Sequence, residues 1–339
     1  MRHLRSALSA LALSTTLIAG GVHAEPAVHA LDNGTLRATV TESIGGRLLS
    51  FSLAGKPNFL LVAPTAGDPT ARVDAASGNV GYLGHEVWIG PQSQWWTHQN
   101  VNQARASARA PWPPDPYLSL SKYTLTKRSA SAIELESPAS PVNGIQLRKR
   151  YALVDARANS LRLEAAATNR RGQDVSWDLW FNTRVRPDTH VYVPVAQAAD
   201  VRIEPVGALA VTLADGILSL DLPRPDQAAR KGKLFAQPAA GWIAGFHGKQ
   251  AFIVSFKHQP RAAIHPEQGQ VELYHDIDPG APDKGLLEME VHAPYLRLAP
   301  GQTMTAGQEW TILPYAGPAT RAAHIAFLRL HTAQLGLTR

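Results

Sequence analysis

What most constrains this chain is the recurrence, from about residue 28 onward, of short runs that alternate apolar and polar side chains and are cut by turn formers. In Ser160–Thr168, Leu161, Leu163 and Ala165 fall on one side and Arg162 and Glu164 on the other, the period of two of a half-buried strand. About sixteen such runs stretch from Leu36–Thr41 to Glu309–Leu313, among them Leu48–Leu53, Leu118–Thr126, Val175–Thr183, Ala251–Phe256 and Leu286–His292. Asp32-Asn33-Gly34, Asn169-Arg170-Arg171-Gly172, Asp215-Gly216 and His247-Gly248-Lys249 punctuate them. With 26 Gly and 25 Pro to turn the chain and almost no helical periodicity, the expectation is a large all-β sandwich and not βαβ units. One segment departs from this: Thr320–Leu335, after Gly317-Pro318, has the spacing of a short C-terminal helix over about 320–335. No internal repeat or linker interrupts the chain, so residues 25–339 are expected to form a single domain.

The first 24 residues have the anatomy of a secretory signal peptide: Arg2 and Arg5, a small-and-apolar stretch to Ala19, then Val22 and Ala24 ahead of a cut after Ala24. The apolar run is too short for a membrane anchor and a polar, Pro-containing stretch follows, so the mature protein is expected in the periplasm or secreted, with no membrane partner. The absence of cysteine rules out disulfides, thiolate metal sites, Cys nucleophiles and lipoprotein acylation. Loss of Arg2 and Arg5 lowers the net charge from +6 to +4; the positive charges are scattered, densest at Arg148-Lys149-Arg150, and give no stripe for nucleic acid. No His-Glu-x-x-His, Gly-x-Ser-x-Gly or Walker pattern occurs, which removes the common zinc-protease, serine-hydrolase and nucleotide readings.

Two segments have the residue types for chemistry. Between Gly81 and His98 lie His85, Glu86, Trp88, Gln92, Gln94, Trp95, Trp96 and His98, three of the eight tryptophans among them, in a Gly- and Pro-containing stretch that reads as a loop. A pyranose asks for this mixture: an aromatic ring under its C–H face and amide, carboxylate and imidazole partners at its hydroxyl rim. Trp112, in the Pro-rich loop 111–116, is a candidate further wall. The competing assignment is that the tryptophans plug an open end of the core. That suits Trp88, between Val87 and Ile89, better than Trp95 and Trp96, whose neighbours are polar. The second segment is Leu286–His292, where alternation puts Leu287, Met289 and Val291 on one face and Glu288, Glu290 and His292 on the other. Paired carboxylates there could raise one pKa toward that of a general base, although a solvated sheet face is the commoner situation for such charges. His265 and the Tyr274-His275-Asp276 run lie just upstream, the latter an imidazole beside an acid.

The ordered set Gly45-Gly46-Arg47-Leu48, Trp88-Ile89-Gly90-Pro91-Gln92-Ser93, Arg150-Tyr151, Thr168–Gly172, Leu287-Glu288-Met289-Glu290 with Ala293-Pro294, Leu298–Gln302 and Trp310 resembles the aldose 1-epimerase (galactose mutarotase) superfamily. It is most similar to a bacterial branch, DUF4380, from Leu31 to about Leu313. The resemblance implies a β-supersandwich with a sugar in a concave sheet face. In that family a glutamate takes the anomeric proton while a histidine protonates the ring oxygen, without metal or other cofactor. It implies Glu290 as base, with Glu288 second. The family's histidine has no counterpart in Trp177–Arg184, so His85, His98 or His275 are the substitutes. Arg47, Trp88, Gln92, Trp95, Trp96, His98, Asn182 and Arg184 are the candidate sugar contacts.

Three functions follow: a carbohydrate-binding protein in which the cleft outlives the chemistry, an epimerase-like isomerase, and a non-catalytic envelope scaffold using the aromatics as interface anchors. A lyase on acidic polysaccharide is a lesser enzymatic option. The export reading has a direct check: protein recovered outside the cytoplasm is expected to begin at Glu25 on N-terminal sequencing, and an intact Met1 would refute it.

Overall fold

The computed structural model describes residues 28–67, 70–281 and 283–337; the segment read as a signal peptide lies outside them. The alternating runs assemble into two ten-stranded antiparallel sheets, as the fold expectation required. One sheet runs in the order Val28–Asp32, Leu36–Thr41, Arg47–Leu53, His85–Gly90, Val175–Val185, Gly285–His292, Val271–Ile277, Arg230–Ala236 and Val201–Glu204, with Leu296–Leu298 pairing on Val175–Val185. The other runs Val211–Ala214, Ile217–Leu220, His190–Pro194, Trp242–His247, Gln250–Phe256, Thr303–Pro314, Arg157–Asn169, Ile145–Val154, Ala132–Glu136 and Thr124–Arg128.

The sheets stack on a continuous apolar core. Phe51 and Leu48 from the first sheet meet Phe252, Trp310 and Ile312 from the second. The rings pack edge-on, Phe51 5.2 Å and Phe252 4.8 Å from Trp310, in the tilted geometry that the ring quadrupoles favour. Helix Arg321–Gln334, capped by the Thr320 side chain on the Ala323 amide, lays Ile325 and Leu328 against Trp242, Phe246 and Tyr315 on the outer face of the second sheet. Among the described residues no helix is long and apolar enough to cross a membrane.

Two local expectations change. Residues 118–119 do not begin a strand: Asp115 accepts from the Tyr117 amide at 2.9 Å and Pro116 supplies the first helical φ, so Pro116–Ser119 is a helical turn and the strand starts at Thr124. The first part of the Gly81–His98 stretch is not a loop either. His85–Gly90 is a strand inserted between Arg47–Leu53 and Val175–Val185, every residue of it buried. The parity of that strand decides which of its side chains reach the outer face of the sheet.

Trp310 touches Phe51, Phe252 and His85 at the centre of this core. Trp310→Ala is expected to lower unfolding stability by about 3–5 kcal/mol, measured by urea denaturation; a loss under about 1 kcal/mol would mean that the sheets do not meet there.

Candidate functional site

Alternation on five neighbouring strands of the first sheet sends one set of side chains into the core and the other onto its outer face. Register lines the second set up in rows. Trp88, Trp180 and His292 are cross-strand neighbours. Glu86, Asn182, Glu290 and Glu272 form the next row, and Arg184, Glu288, Tyr274 and Lys233 the one after. Neighbours in such a row have Cβ atoms about 5 Å apart, so the charges must either pair or repel.

They pair. Glu86 is the centre of one group, receiving Arg47 at 2.7 Å and Arg184 at 2.6 Å, while Arg184 also donates to Glu288 at 2.8 Å. Burial alone would raise the Glu86 carboxyl, but the two guanidinium groups hold it down at about 2. Arg184 further lies over the Trp88 ring at 4.6 Å. The second group centres on Lys233, 2.7 Å from Glu272 and 2.9 Å from Glu290, with its ammonium 4.5 Å from the Trp180 ring centre. His292 stands between Asp178 at 3.2 Å and Glu272 at 3.4 Å. Burial disfavours its cationic form, yet the Glu272 and Asp178 carboxylates raise its pKa to about 9.

Glu272 and Glu290 share one ammonium but diverge. Glu272 also has His292 and accepts from the Gly269 amide at 3.0 Å; against burial, Lys233 and His292 keep it ionised. Glu290 is fully buried, its other close partner being the Asn182 amide at 2.9 Å; burial first, then Glu288 and Glu272, push its carboxyl well above the ordinary range. The donor atoms of Glu272, Glu290 and His292 lie within 4.8 Å of one another, a spacing that could hold a metal ion. Lys233 already supplies positive charge to two of the three, so the cluster needs no ion for neutrality.

Above this floor is a cavity of about 750 Å³. Its charged lining is Arg47, Glu86, Arg184, Glu288, Glu290 and Lys233, with Lys231 and Glu204 at the rim; its aromatic walls are Trp88, Trp180, Trp112, Tyr82 and Tyr274. The size and the mixture of ring faces with converging polar groups are those of a small-molecule site. Arg47, Trp88, Gln92, Arg184, Glu288 and Glu290 therefore line it, and Asn182 sits directly beneath, bonded to Glu290.

The remaining sequence candidates are placed elsewhere. His85 has the opposite strand parity to Glu86. It points into the core, bonds Thr183 Oγ1 at 2.9 Å and packs on Phe181 and Trp310, and burial lowers its pKa well below the usual value. His275 is on the core face of its strand with Nε2 2.8 Å from the Pro187 carbonyl. His98 is exposed and apart from the cavity lining. Trp95 and Trp96 are buried supports: Trp95 stacks behind Trp180 and donates to the Ile89 carbonyl, and Trp96 donates to Pro113 O at 2.7 Å. That last bond ties down the Pro-rich loop from which Trp112, 47% exposed, overhangs the cavity. Lys233, Glu272, Asp178 and Trp180 are the site residues that the sequence reading passed over. Strand parity could have found Trp180 and Asp178, which alternate with Leu179 and Phe181.

The family model described as "Domain of unknown function (DUF4380)" matches residues 28–313. No curated protein matches the sequence significantly. Among solved structures, the Slr1438 protein of Synechocystis superposes with a TM-score of 0.55 at 13% identity, over 85% of this chain and 96% of that one. A galactose mutarotase-like protein of Lactobacillus casei gives 0.53 at 12% identity, over 85% and 100%. A putative aldose 1-epimerase of Klebsiella pneumoniae gives 0.52 at 12%, over 89% and 81%. At these identities the likeness shows a shared galactose mutarotase-like fold.

The raised His292 pKa is a stability statement. Its contribution is fully present below the unfolded value near 6.5 and is lost as pH rises through about 9. His292→Gln is expected to cost on the order of 3 kcal/mol at pH 6 and progressively less by pH 10, read from denaturant melts across that range. A pH-independent difference would show that His292 is neutral in the folded protein.

Proposed function

The chain belongs to the DUF4380 family, and from that membership, its mutarotase-like fold and the cleft chemistry we propose that it is a carbohydrate-binding protein acting outside the cytoplasm. The observation that carries the reading is the joint lining of one cavity by Trp88, Trp112 and Trp180 and by Glu86, Arg184, Glu288, Glu290 and Lys233. The exposed Trp112 ring offers a face to the C–H side of a pyranose, while Trp88 and Trp180 are buried beneath Arg184 and Lys233. Carboxylates and cationic donors fixed by one another present set acceptors and donors to its hydroxyls. Because these charges are paired within the protein, the cleft suits a neutral polyol better than a ligand that needs a free countercharge.

Epimerisation is the second reading, and it draws on Glu290, a buried carboxyl with a raised pKa as a general base needs. Against it stands the acid: the residues lining the cavity include no histidine, and His292 is fully buried behind Trp180, engaged by two carboxylates. Lys233 is the nearest proton donor, and Glu272 with Glu290 raises its pKa beyond the range useful near neutrality, against the effect of burial. Binding without turnover is the simpler outcome of this geometry.

Titration of the protein with a glycan panel, followed by tryptophan fluorescence and calorimetry, is expected to find at least one neutral sugar that binds. Trp112→Ala should then weaken that sugar about tenfold or more, because the overhanging ring is lost while the buried floor stays intact. NMR anomer exchange should stay at the spontaneous rate; acceleration abolished by Glu290→Gln would instead establish the isomerase.

A further inference from the structure

A second cavity of about 520 Å³ adjoins the first, and the two share Gln92, Trp180, Glu204 and Lys233 as lining. The shared residues stand between the two as a ridge: the Trp180 ring with the Lys233 ammonium above it, and Glu204 paired with Arg202 alongside. The far side of the second cavity is polar, with Ser93, Arg202, Glu267 and Gln268 around Phe235. Arg202 lies over that Phe235 ring, 3.7 Å from its centre, so the ring holds a flat guanidinium with hydrogen-bond donors at the edge of this lobe.

Each lobe also has buried polar atoms that find no hydrogen-bond partner among the described residues. In the first this is Trp88 Nε1. At the ridge it is Trp180 Nε1. In the second it is Gln268, only 6% exposed, whose amide nitrogen and oxygen are both unspent. Buried donors and acceptors are rarely left unmatched in a folded protein, and a planar amide with both groups free is a partner for a vicinal diol. Gly90 keeps that amide's place open: a Cβ there would collide with Gln268 Nε2 and Asp178 Oδ1.

We infer that the cleft is a two-lobed groove for an oligosaccharide, one sugar unit seated over the Glu86–Arg184–Glu290 floor and further units crossing the Trp180–Lys233 ridge to Gln268. The inference rests on the carbohydrate reading above and adds chain length to it. A single hexose occupies one lobe and leaves the other lobe's amide or indole groups unmatched; a chain of three units satisfies both.

The test measures dissociation constants by calorimetry for matched sets of mono-, di-, tri- and tetrasaccharides of neutral hexoses and N-acetylhexosamines in each common linkage. Affinity is expected to rise at least tenfold from one unit to three in the bound series. Gln268→Ala is expected to bring the trisaccharide down toward the monosaccharide's affinity, and Arg202→Ala, a half-exposed position whose loss the fold tolerates, should cut the same increment. A monosaccharide that binds as tightly as its longer homologues would overturn the two-lobed groove and leave the carbohydrate reading standing. So would Gln268→Ala and Arg202→Ala variants that weaken all lengths equally. Failure of every member of every set to bind would sink both.

Discussion

The buried ion chain Arg47–Glu86–Arg184–Glu288 is the constraint on which the rest of this molecule depends. It joins four strands of one sheet through side chains that are almost wholly removed from water. Such charges are tolerable only when each has its partner in place, since truncating one member leaves another desolvated and unmatched. The chain thereby fixes the outer face of the sheet as rigidly as the aromatic core fixes the inner one. It also means that the cleft floor was assembled at folding and does not wait for a ligand to order it.

Strand Val175–Val185 shows how the two faces are built together. Leu179, Phe181 and Val185 enter the core, while Asp178, Trp180, Asn182 and Arg184 supply the floor, each to a different neighbour. Its flanking strands bring Glu86 and Trp88 from one side and Glu288, Glu290 and His292 from the other. Site residues distant in sequence thus converge because the strand order does, and a register slip of one residue on any of the three would exchange floor for core.

Much of this is legible in the sequence, in particular places. The parity of Leu286–His292 correctly set Glu288 and Glu290 apart from Leu287 and Met289, and the Gly45-Gly46-Arg47 turn pointed to an arginine that does reach the cavity. His85 was lost for lack of one fact: with Gly and Pro around it the segment reads as loop, and only its insertion as a strand sends the imidazole inward and Glu86 outward. Lys233 was hidden for another reason. Arg230–Ala236 opens Arg-Lys-Gly-Lys, with no apolar alternation until Leu234, and takes its strand conformation from pairing with Val271–Ile277. Trp95 and Trp96 have polar neighbours yet are buried, because their indole N–H groups find the Ile89 and Pro113 carbonyls.

Every cation lining the main cavity, Arg47, Arg184, Lys231 and Lys233, has a carboxylate oxygen within 2.9 Å of it. Opposed charges this close project little field beyond a few ångströms, so the mouth of the cleft has no long-range pull on what drifts past. Encounter with a neutral molecule is then a matter of diffusion and shape, and changes little with ionic strength.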